Sequence, residues 1–291
     1  MSARGSYLVL ALVYTVRPLS NQRLFSFFKA AIMNIKMLIA AGILAAGTIS
    51  APVWAQEVLK VGVEALYPPF ESKTPDGKLV GFDVELNDAV CARLQVKCEW
   101  VETSFDGLIP ALNARKFNYI NSAMNITEPR QKVIDFTVPI YDVPSQLIAK
   151  KGSGLQATPE SLQSTVVGVL QGSAQEAFVK KHWAPKGVKI VSYASQDQIY
   201  QDLRSNRIQA AVQKTPSAVS AFLDKPEGKD YEVTGAPLDD TSVLGVGTGF
   251  GIRKGNDELK KRLDGAIDAL KKDGTISKLT QKYFNADWVA K

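Results

Sequence analysis

The sequence predicts an α/β protein whose sheets are mainly parallel. Short segments rich in β-branched residues alternate with amphipathic helical segments, first over residues 59–123 and again over residues 166–223. A last strand and two helices follow between residues 246 and 284. Repeated strand–helix alternation is typical of parallel sheets covered by helices, and two separate series indicate two such units.

In the first series we predict, in chain order, strand Leu59–Val63, a helix from Gly81, strand Val96–Val101, a helix from Phe105 and strand Tyr119–Ala123. Apolar residues at positions 105, 108, 109 and 112 form one helical stripe. Ligands of such sheets bind beyond the carboxyl ends of the strands. We therefore expect the segments 64–67 and 122–125 to lie at a binding site.

In the second series we predict strand Val166–Leu170, helix Ala174–Lys181, strand Lys189–Tyr193, helix Gln196–Asn206, strand Ala210–Gln213 and helix Pro216–Leu223. Ser173 is a candidate helix cap, and a Gly-Ser turn entering a helix presents free backbone N–H groups to an anion. The glycine-rich segment Val246–Arg253 predicts a close-packed strand or a hinge. Helices Asp257–Lys272 and Ile276–Phe284 end the chain.

The positive charge of the chain belongs mostly to its first 55 residues. The formal net charge is +6, with 35 basic and 29 acidic residues. Five of the basic residues and none of the acidic ones lie in residues 1–55, which leaves 30 against 29 in residues 56–291. A nearly neutral chain of this kind gives no indication of nucleic-acid binding.

Residues 1–55 have the layout of a leader that is removed on export. Lys36 precedes the uncharged run Met37–Ile49, and Val53-Trp54-Ala55 offers small residues before a cleavage site at Gln56. A membrane anchor is the alternative, which Pro52 and the small-residue site disfavour. Met33 would give a leader of ordinary length, so we treat it as a second candidate start.

Cys91 and Cys98 are the only cysteines and fit an exported protein. A bridge between them would close an eight-residue loop, which contributes about 2.5 kcal/mol in the chain-entropy model. Two buried thiols are the alternative, and export favours the disulfide. Two cysteines and the single histidine, His182, do not make a structural zinc site, and we predict neither a metal nor a cofactor.

Residues Ser122–Arg130 resemble a turn that binds a carboxylate. Small residues allow the backbone to approach a ligand, and Arg130 follows them. An arginine can hold a carboxylate through two parallel charge-assisted hydrogen bonds. The alternative is that Arg130 is an ordinary solvated surface residue.

Several motifs in order resemble the polar amino-acid binding proteins of bacterial ABC importers. They are V-G-F-D (80–83), Cys91 with Cys98, F-D-G-L-I-P-A-L (105–112), I-T-E-P-R (126–130), V-G-V-L-Q-G-S (167–173), G-x-G-x-R-K (249–254) and D-G-T-I (273–276). Within that family the chain is most similar to the lysine/arginine/ornithine and histidine binding proteins.

The resemblance implies a two-lobed periplasmic binding protein of the Venus-flytrap type II fold, with two αβ lobes joined by a two-strand hinge. The first lobe would comprise residues 56–142 plus 246–291 and the second 146–241, with crossings near 141–145 and 242–245. It further implies a monomeric periplasmic receptor, exported through a cleavable signal peptide, that closes on a small amino acid or derivative and docks with an inner-membrane permease.

The resemblance also implies a ligand site. Arg130 is expected to hold the carboxylate with the backbone N–H groups of Asn125 and Ala174, next to Ser173. The remaining expected contacts are Tyr67 and Phe105 around the ligand body, Leu170 as an apolar wall, Ser122 and Ala123 at the side-chain end, and Glu64 against a cationic side chain. Tyr67 and Phe105 are alternatively ordinary core aromatics. No catalytic residue is implied.

Lys214 departs from the family pattern, which has an aspartate for the ligand ammonium at this position. A lysine there would repel an ammonium group in a desolvated cleft. Three explanations stay open: Lys214 binds a second anionic group of the ligand, as in an opine; it pairs with Glu64; or it points to solvent. Opine-binding relatives likewise lack the aspartate and have a glutamate at the position of Glu64.

Two other functional classes are compatible with this fold. The chain also resembles cyclohexadienyl dehydratases, in which case Glu64 and Lys214 would be the candidate acid and base. A receptor that docks with a signalling partner instead of a permease is the other. We predict a transport receptor, and ligand-dependent stabilisation would distinguish it from a protein without a solute site.

Overall fold

The computed structural model describes residues 56–291. The predicted leader, its cleavage site and the candidate start Met33 lie outside the described residues. Among residues 56–291 no helix is both long enough and apolar enough to cross a membrane.

The first five-stranded sheet joins strands from both ends of the described chain. In sheet order, with strands numbered along the chain, it contains β5 (Lys97–Glu102), β1 (Val58–Val63), β6 (Tyr119–Ile120), β13 (Gly251–Arg253) and β7 (Ile134–Phe136). β1 is parallel to β5 and β6, whereas β13 is antiparallel to both of its neighbours. Its main helices are α1 (Phe82–Leu94), α2 (Leu108–Asn113), α9 (Asp257–Lys272) and α10 (Thr275–Phe284).

The second five-stranded sheet is built from one continuous stretch of chain. Its order is β10 (Lys189–Tyr193), β9 (Val166–Leu170), β11 (Ala210–Lys214), β8 (Ser145–Lys150) and β12 (Tyr231–Thr234). β9 is parallel to β10 and β11, and β8 is antiparallel to β11 and β12. Helices α5 (Ala174–His182) and α6 (Gln196–Arg204) pack against this sheet.

The remaining elements are short. A small antiparallel sheet contains β2 (Leu66–Tyr67), β3 (Glu71–Lys73) and β4 (Leu79–Val80). The single-turn helices are α3 (Glu128–Gln131), α4 (Pro159–Leu162), α7 (Thr215–Ala218) and α8 (Thr241–Leu244). A π-helical turn, Val219–Leu223, continues α7, so the helix predicted over 216–223 is present in two forms.

Each five-stranded sheet has its own buried core, which gives the molecule two lobes. Val61, Phe82 and Leu263 belong to the core of the first lobe, and Val167 and Trp183 to that of the second. The predicted disulfide between Cys91 and Cys98 is confirmed and links the end of α1 to β5 in the first lobe. The α/β prediction and the two-lobed fold are therefore confirmed.

Each sheet is mainly parallel, as predicted, with one reversed strand: β13 in the first sheet and β8 in the second. β8 runs in the opposite direction because it begins at the cleft, where β9 and β11 end. One detail of the prediction is wrong for an identifiable reason. The strand predicted over 246–253 is shortened to β13, because Gly245 and Gly247 have φ angles of 85° and 98° that break a strand. Thr248 makes only isolated bridges, to Asn125 and Tyr141.

Candidate functional site

The turn after β6 is held by a buried carboxylate. Ala123 is buried with a φ of 44°, a left-handed conformation that alanine rarely adopts. Its backbone N–H donates to Asp83 Oδ2 at 2.6 Å, and the Tyr141 hydroxyl donates to Asp83 Oδ1 at 3.2 Å. Burial raises the pKa of Asp83 to about 6. The turn that contains Ser122, Ala123 and Asn125 is thus fixed before any ligand contacts it.

Arg130 is a buried cation that contacts only neutral oxygens. Its side chain leaves α3 and donates from Nη1 to the carbonyl of Asn125 at 2.8 Å and from Nη2 to the carbonyl of Gly172 at 2.9 Å. The guanidinium lies 5.4 Å from the centre of the Phe105 ring, and no carboxylate of the described residues forms an ion pair with it. Burial lowers the pKa of Arg130 to about 10. The alternative of a solvated surface arginine is wrong, since the residue is only 9% exposed.

Gly172 brings the second lobe to this arginine. The turn between β9 and α5 has Gly172 at a φ of 74°, and a side chain there would approach Asp106 of the first lobe. Ser173 then caps α5 by accepting the N–H of Glu176 at 3.0 Å, as predicted. Ala174, which is buried, is the first residue of that helix. The bond from Arg130 to Gly172 therefore spans the cleft between the lobes.

Lys214 lies at the end of β11 and is also buried, with 2% of its surface exposed. Its Nζ donates to Thr248 Oγ1 of the first lobe at 3.1 Å, and its backbone N–H donates to the Tyr67 hydroxyl at 3.2 Å. Burial lowers the pKa of Lys214 to about 8. The charges of Asp142 and Asp83 oppose this shift, and the charge of Arg130 adds to it. The alternative in which Lys214 points to solvent is wrong, and Lys214 forms no bond to Glu64 in the described part of the chain.

Glu64 directly follows β1 and is 3% exposed. Its backbone N–H donates to Ser122 Oγ at 3.0 Å, and that hydroxyl donates to Glu71 Oε1 at 2.7 Å. Neither carboxylate oxygen of Glu64 has a hydrogen-bond partner among residues 56–291. Burial, with a smaller contribution from Asp197, raises the pKa of Glu64 to about 7.

Most of the predicted site residues surround one small cavity between the lobes. Its volume is about 20 Å³, close to that of a single water molecule. The predicted residues in its lining are Tyr67, Phe105, Ala123, Asn125, Leu170, Ser173 and Lys214. Glu64 instead lines a second, larger cavity of about 360 Å³, together with Ala65 and Ala194. The lobes therefore leave little space only at the first of these cavities.

The same lining contains residues that the sequence reasoning missed. They are Gln175, Gln196, Val212 and Gln213, all from the second lobe. Gln196 is the first residue of α6, and Gln213 precedes Lys214 at the carboxyl end of β11. The available signal was that Gln213 is the last residue of the predicted strand Ala210–Gln213, because ligands bind at the carboxyl ends of such strands.

The raised pKa of Glu64 predicts a pH-dependent stability. The folded protein binds more protons than the unfolded chain between about pH 4.5 and 7, so the free energy of unfolding falls as the pH rises through this window. We expect Glu64→Gln to be more stable than the wild type at pH 8 by about 2–3 kcal/mol and equal to it at pH 4.5. Urea unfolding at both pH values measures this difference.

The exposed Glu227→Gln variant is the matched control and is expected to follow the wild type at both pH values. Equal stability of Glu64→Gln and the wild type at pH 8 would contradict the assigned pKa direction. Glu71 and Asp83, whose pKa values burial also raises, are present in both proteins, so most of their contribution cancels in the comparison.

Two lobes enclose a small cavity lined by the buried Lys214, and the buried Arg130 donates to the carbonyl of the lining residue Asn125, an arrangement typical of a solute-binding protein. Residues 59–286 match the family model of the bacterial extracellular solute-binding proteins, family 3, and the chain belongs to that family. The fold is thus that of a solute-binding receptor.

Similar proteins agree with this assignment. The histidine-binding periplasmic protein of Escherichia coli (strain K12) is 47% identical over 229 residues, which cover 79% of this chain and 88% of that protein. The lysine/arginine/ornithine-binding periplasmic protein of the same strain is 42% identical over 257 residues, covering 88% and 97%. An ancestral arginine-binding protein bound to arginine is 36% identical with a TM-score of 0.72, covering 79% and 99%. All three are binding proteins.

Proposed function

We propose that this protein is the periplasmic receptor of an ABC importer. It binds a carboxylate-bearing amino acid or derivative in the cleft and delivers it to an inner-membrane permease. The observation that carries the proposal is Arg130, a buried guanidinium with no carboxylate partner among the described residues. Removing a charge from water is costly unless an opposite charge compensates it, and a solute carboxylate provides that compensation. The names of the relatives and the leader-like residues 1–55 support the location.

The other predicted cleft residues are proposed to contact the ligand in the following way. The backbone N–H groups of Asn125 and Ala174 assist Arg130, while Tyr67 and Phe105 enclose the ligand body. Leu170 and Ser173 complete the wall on the second lobe, and Ser122 with Ala123 lies towards the side-chain end. Glu64, with both carboxylate oxygens unpartnered, accepts a cationic or N–H-bearing side chain.

Lys214 points to an anionic group on the ligand besides the carboxylate at Arg130. The lysine is buried, and the only hydrogen bond of its Nζ among the described residues is to the Thr248 hydroxyl. Arg130 repels it, and Asp142 and Asp83 attract it without forming an ion pair. A ligand ammonium beside Lys214 would be repelled by it, whereas a second carboxylate would interact with Lys214 favourably. We therefore favour an opine or another N-substituted amino acid over an ordinary amino acid.

The lobes are proposed to be residues 56–142 plus 246–291 and residues 146–241, with the hinge at 141–145 and 242–245. In support, the strands of the first sheet come from two segments of the sequence, one before and one after the segment that forms the second sheet. The bonds from Arg130 to Gly172 and from Lys214 to Thr248 link the two lobes. Closing these lobes on a ligand is the hinge motion that would present the loaded form to a permease.

We also propose that the chain is not an enzyme. The candidate acid–base pair, Glu64 and Lys214, does not form a hydrogen bond, and the two side chains line different cavities. A general acid and base act within hydrogen-bond reach of the reacting group. Turnover of prephenate or arogenate would contradict this part of the proposal.

A ligand panel tests the receptor function. Purified protein is heated with L-arginine, L-lysine, L-histidine, octopine (N-carboxyethyl-arginine) or a dicarboxylate, and thermal unfolding is followed. A true ligand at one hundred times its Kd stabilises the folded state by about 2.7 kcal/mol. Agmatine, which is arginine without its carboxylate, is the matched control and is expected to give no shift. No shift with any carboxylate in the panel would contradict the proposal.

A further inference from the structure

Two glutamine side chains at the cleft have polar atoms without partners. Gln196 is 1% exposed, and neither its Oε1 nor its Nε2 forms a hydrogen bond with any described residue. Gln213 is 2% exposed; its Nε2 donates to the Tyr200 hydroxyl at 2.7 Å, but its Oε1 has no partner. Buried polar atoms are nearly always hydrogen-bonded, so three unpartnered amide atoms in one place require an explanation.

Nothing in the described packing of the second lobe requires an amide at position 196. Gln196 does not cap its helix, because α6 has no side-chain cap at its start. The third glutamine of the lining, Gln175, is satisfied by Ser145 Oγ at 2.7 Å, so the local structure can provide partners where it needs them. An apolar side chain at position 196 would avoid the loss of hydrogen bonds to water that the buried amide suffers. The amide is therefore retained at a cost that ligand binding would offset.

The cavity shows which part of the solute the two amides would meet. Gln196 and Gln213 line the same small cavity as Asn125 and Ser173, the residues next to the carboxylate anchor. Arg130 donates to the Asn125 carbonyl at 2.8 Å, so the cavity that the amides line lies beside the carboxylate anchor. The group attached one carbon away from the carboxylate of an amino acid is its amino nitrogen.

We propose that Gln196 and Gln213 bind the amino nitrogen of the solute, accepting its N–H bonds with their amide oxygens. The inference rests on the proposed function, in which Arg130 holds the solute carboxylate. Lys214, next to Gln213, offers only N–H donors and cannot accept these bonds. Two neutral amide oxygens accept N–H groups without a negative charge, and they suit a substituted nitrogen that carries a second carboxylate towards Lys214.

Two probe pairs that differ only at this nitrogen test the inference. The first pair is L-arginine and deaminoarginine, which lacks the amino group. The second is octopine and its carba analogue, in which a methylene replaces the N–H. Isothermal titration calorimetry gives the affinity of each probe for the wild type, Gln196→Leu and Gln213→Leu. Gln201→Leu, an exposed position on the same helix, is the control.

We expect both cleft variants to lose at least tenfold in affinity for whichever nitrogen-bearing probe binds the wild type. Their affinity for the partner without the nitrogen is expected to stay within twofold, and the control is expected to match the wild type for every probe. Thermal unfolding without ligand checks the fold, and Gln196→Leu is expected to be at least as stable as the wild type.

The outcomes separate the two proposals. Unchanged affinity of both cleft variants for a probe that binds the wild type overturns this inference alone and leaves the amides a structural role. Equal losses for both members of a pair also overturn it, because the effect would not depend on the nitrogen. If the wild type binds none of the four probes, the proposed function fails and this inference fails with it. If one variant does not fold, the other decides.

Discussion

Replacing Arg130 with methionine is expected to weaken the binding of a carboxylate solute by roughly 30- to 4,000-fold. Truncating one partner of a buried charge pair costs about 2–5 kcal/mol, which corresponds to this range. Methionine keeps much of the apolar stem against Phe105 but removes every donor. Isothermal titration calorimetry with the tightest ligand of the panel measures the change.

Arg204→Met, at an exposed position on α6, is the matched control and is expected to bind like the wild type. The stability of Arg130→Met without ligand should change little. The buried charge disappears, which is favourable, while the bond to the Gly172 carbonyl across the cleft is lost. A variant that is folded and binds within threefold of the wild type would refute the assignment of Arg130 as the carboxylate anchor.

Replacing Lys214 with aspartate is expected to reverse the preference of the cleft. An acid at this position attracts an ammonium group and repels a second carboxylate. At about 4 Å and an effective dielectric constant of 20, each such interaction amounts to roughly 4 kcal/mol before desolvation reduces it. We therefore expect L-arginine to bind Lys214→Asp at least 100-fold more tightly than the wild type, and octopine to bind at least 100-fold more weakly.

The new carboxylate also lies among Glu71, Asp83 and Asp142, so some loss of stability is expected. Lys214→Met separates the two effects, because it removes the cation without adding an acid and should weaken only octopine. Lys225→Asp, at an exposed position of the second lobe, controls for the charge change itself. If Lys214→Asp loses stability with no change in the ratio of the two affinities, Lys214 is a structural residue.

Local sequence patterns predicted the fold well where a single element carries the signal. Helix α9 was predicted at its observed bounds, Asp257–Lys272, because apolar residues recur at helical spacing and Gly274 ends the pattern. The disulfide followed from two nearby cysteines in an exported chain. The direction of β8 and the length of β13 were missed, because both depend on how the chain crosses between the lobes.

The site was predictable in part for the same reason. Arg130 follows small residues on one short segment, and that pattern suggested a carboxylate turn, whereas the role of Asn125 followed from the family resemblance. The contact of Arg130 with Gly172 joins residues from different lobes, and no local pattern encodes it. Gln196 was assigned correctly to the start of a helix, but the direction of its side chain depends on the packing of α6 against the sheet. The charge of Lys214 was visible in the sequence, but the burial of its side chain was not.

The position of β13 has a consequence for the order in which the molecule assembles. Residues 251–253 lie in the sheet between strands that end at residues 120 and 136. The second sheet is complete once residue 234 is available, whereas the first stays divided until the chain is nearly finished. Contacts between such distant segments form slowly, since a long loop must close first. A chain truncated before residue 251 would contain all strands of the second sheet, but its first sheet would lack β13. Arg130 would be present in that chain, although the sheet that supports it would be incomplete.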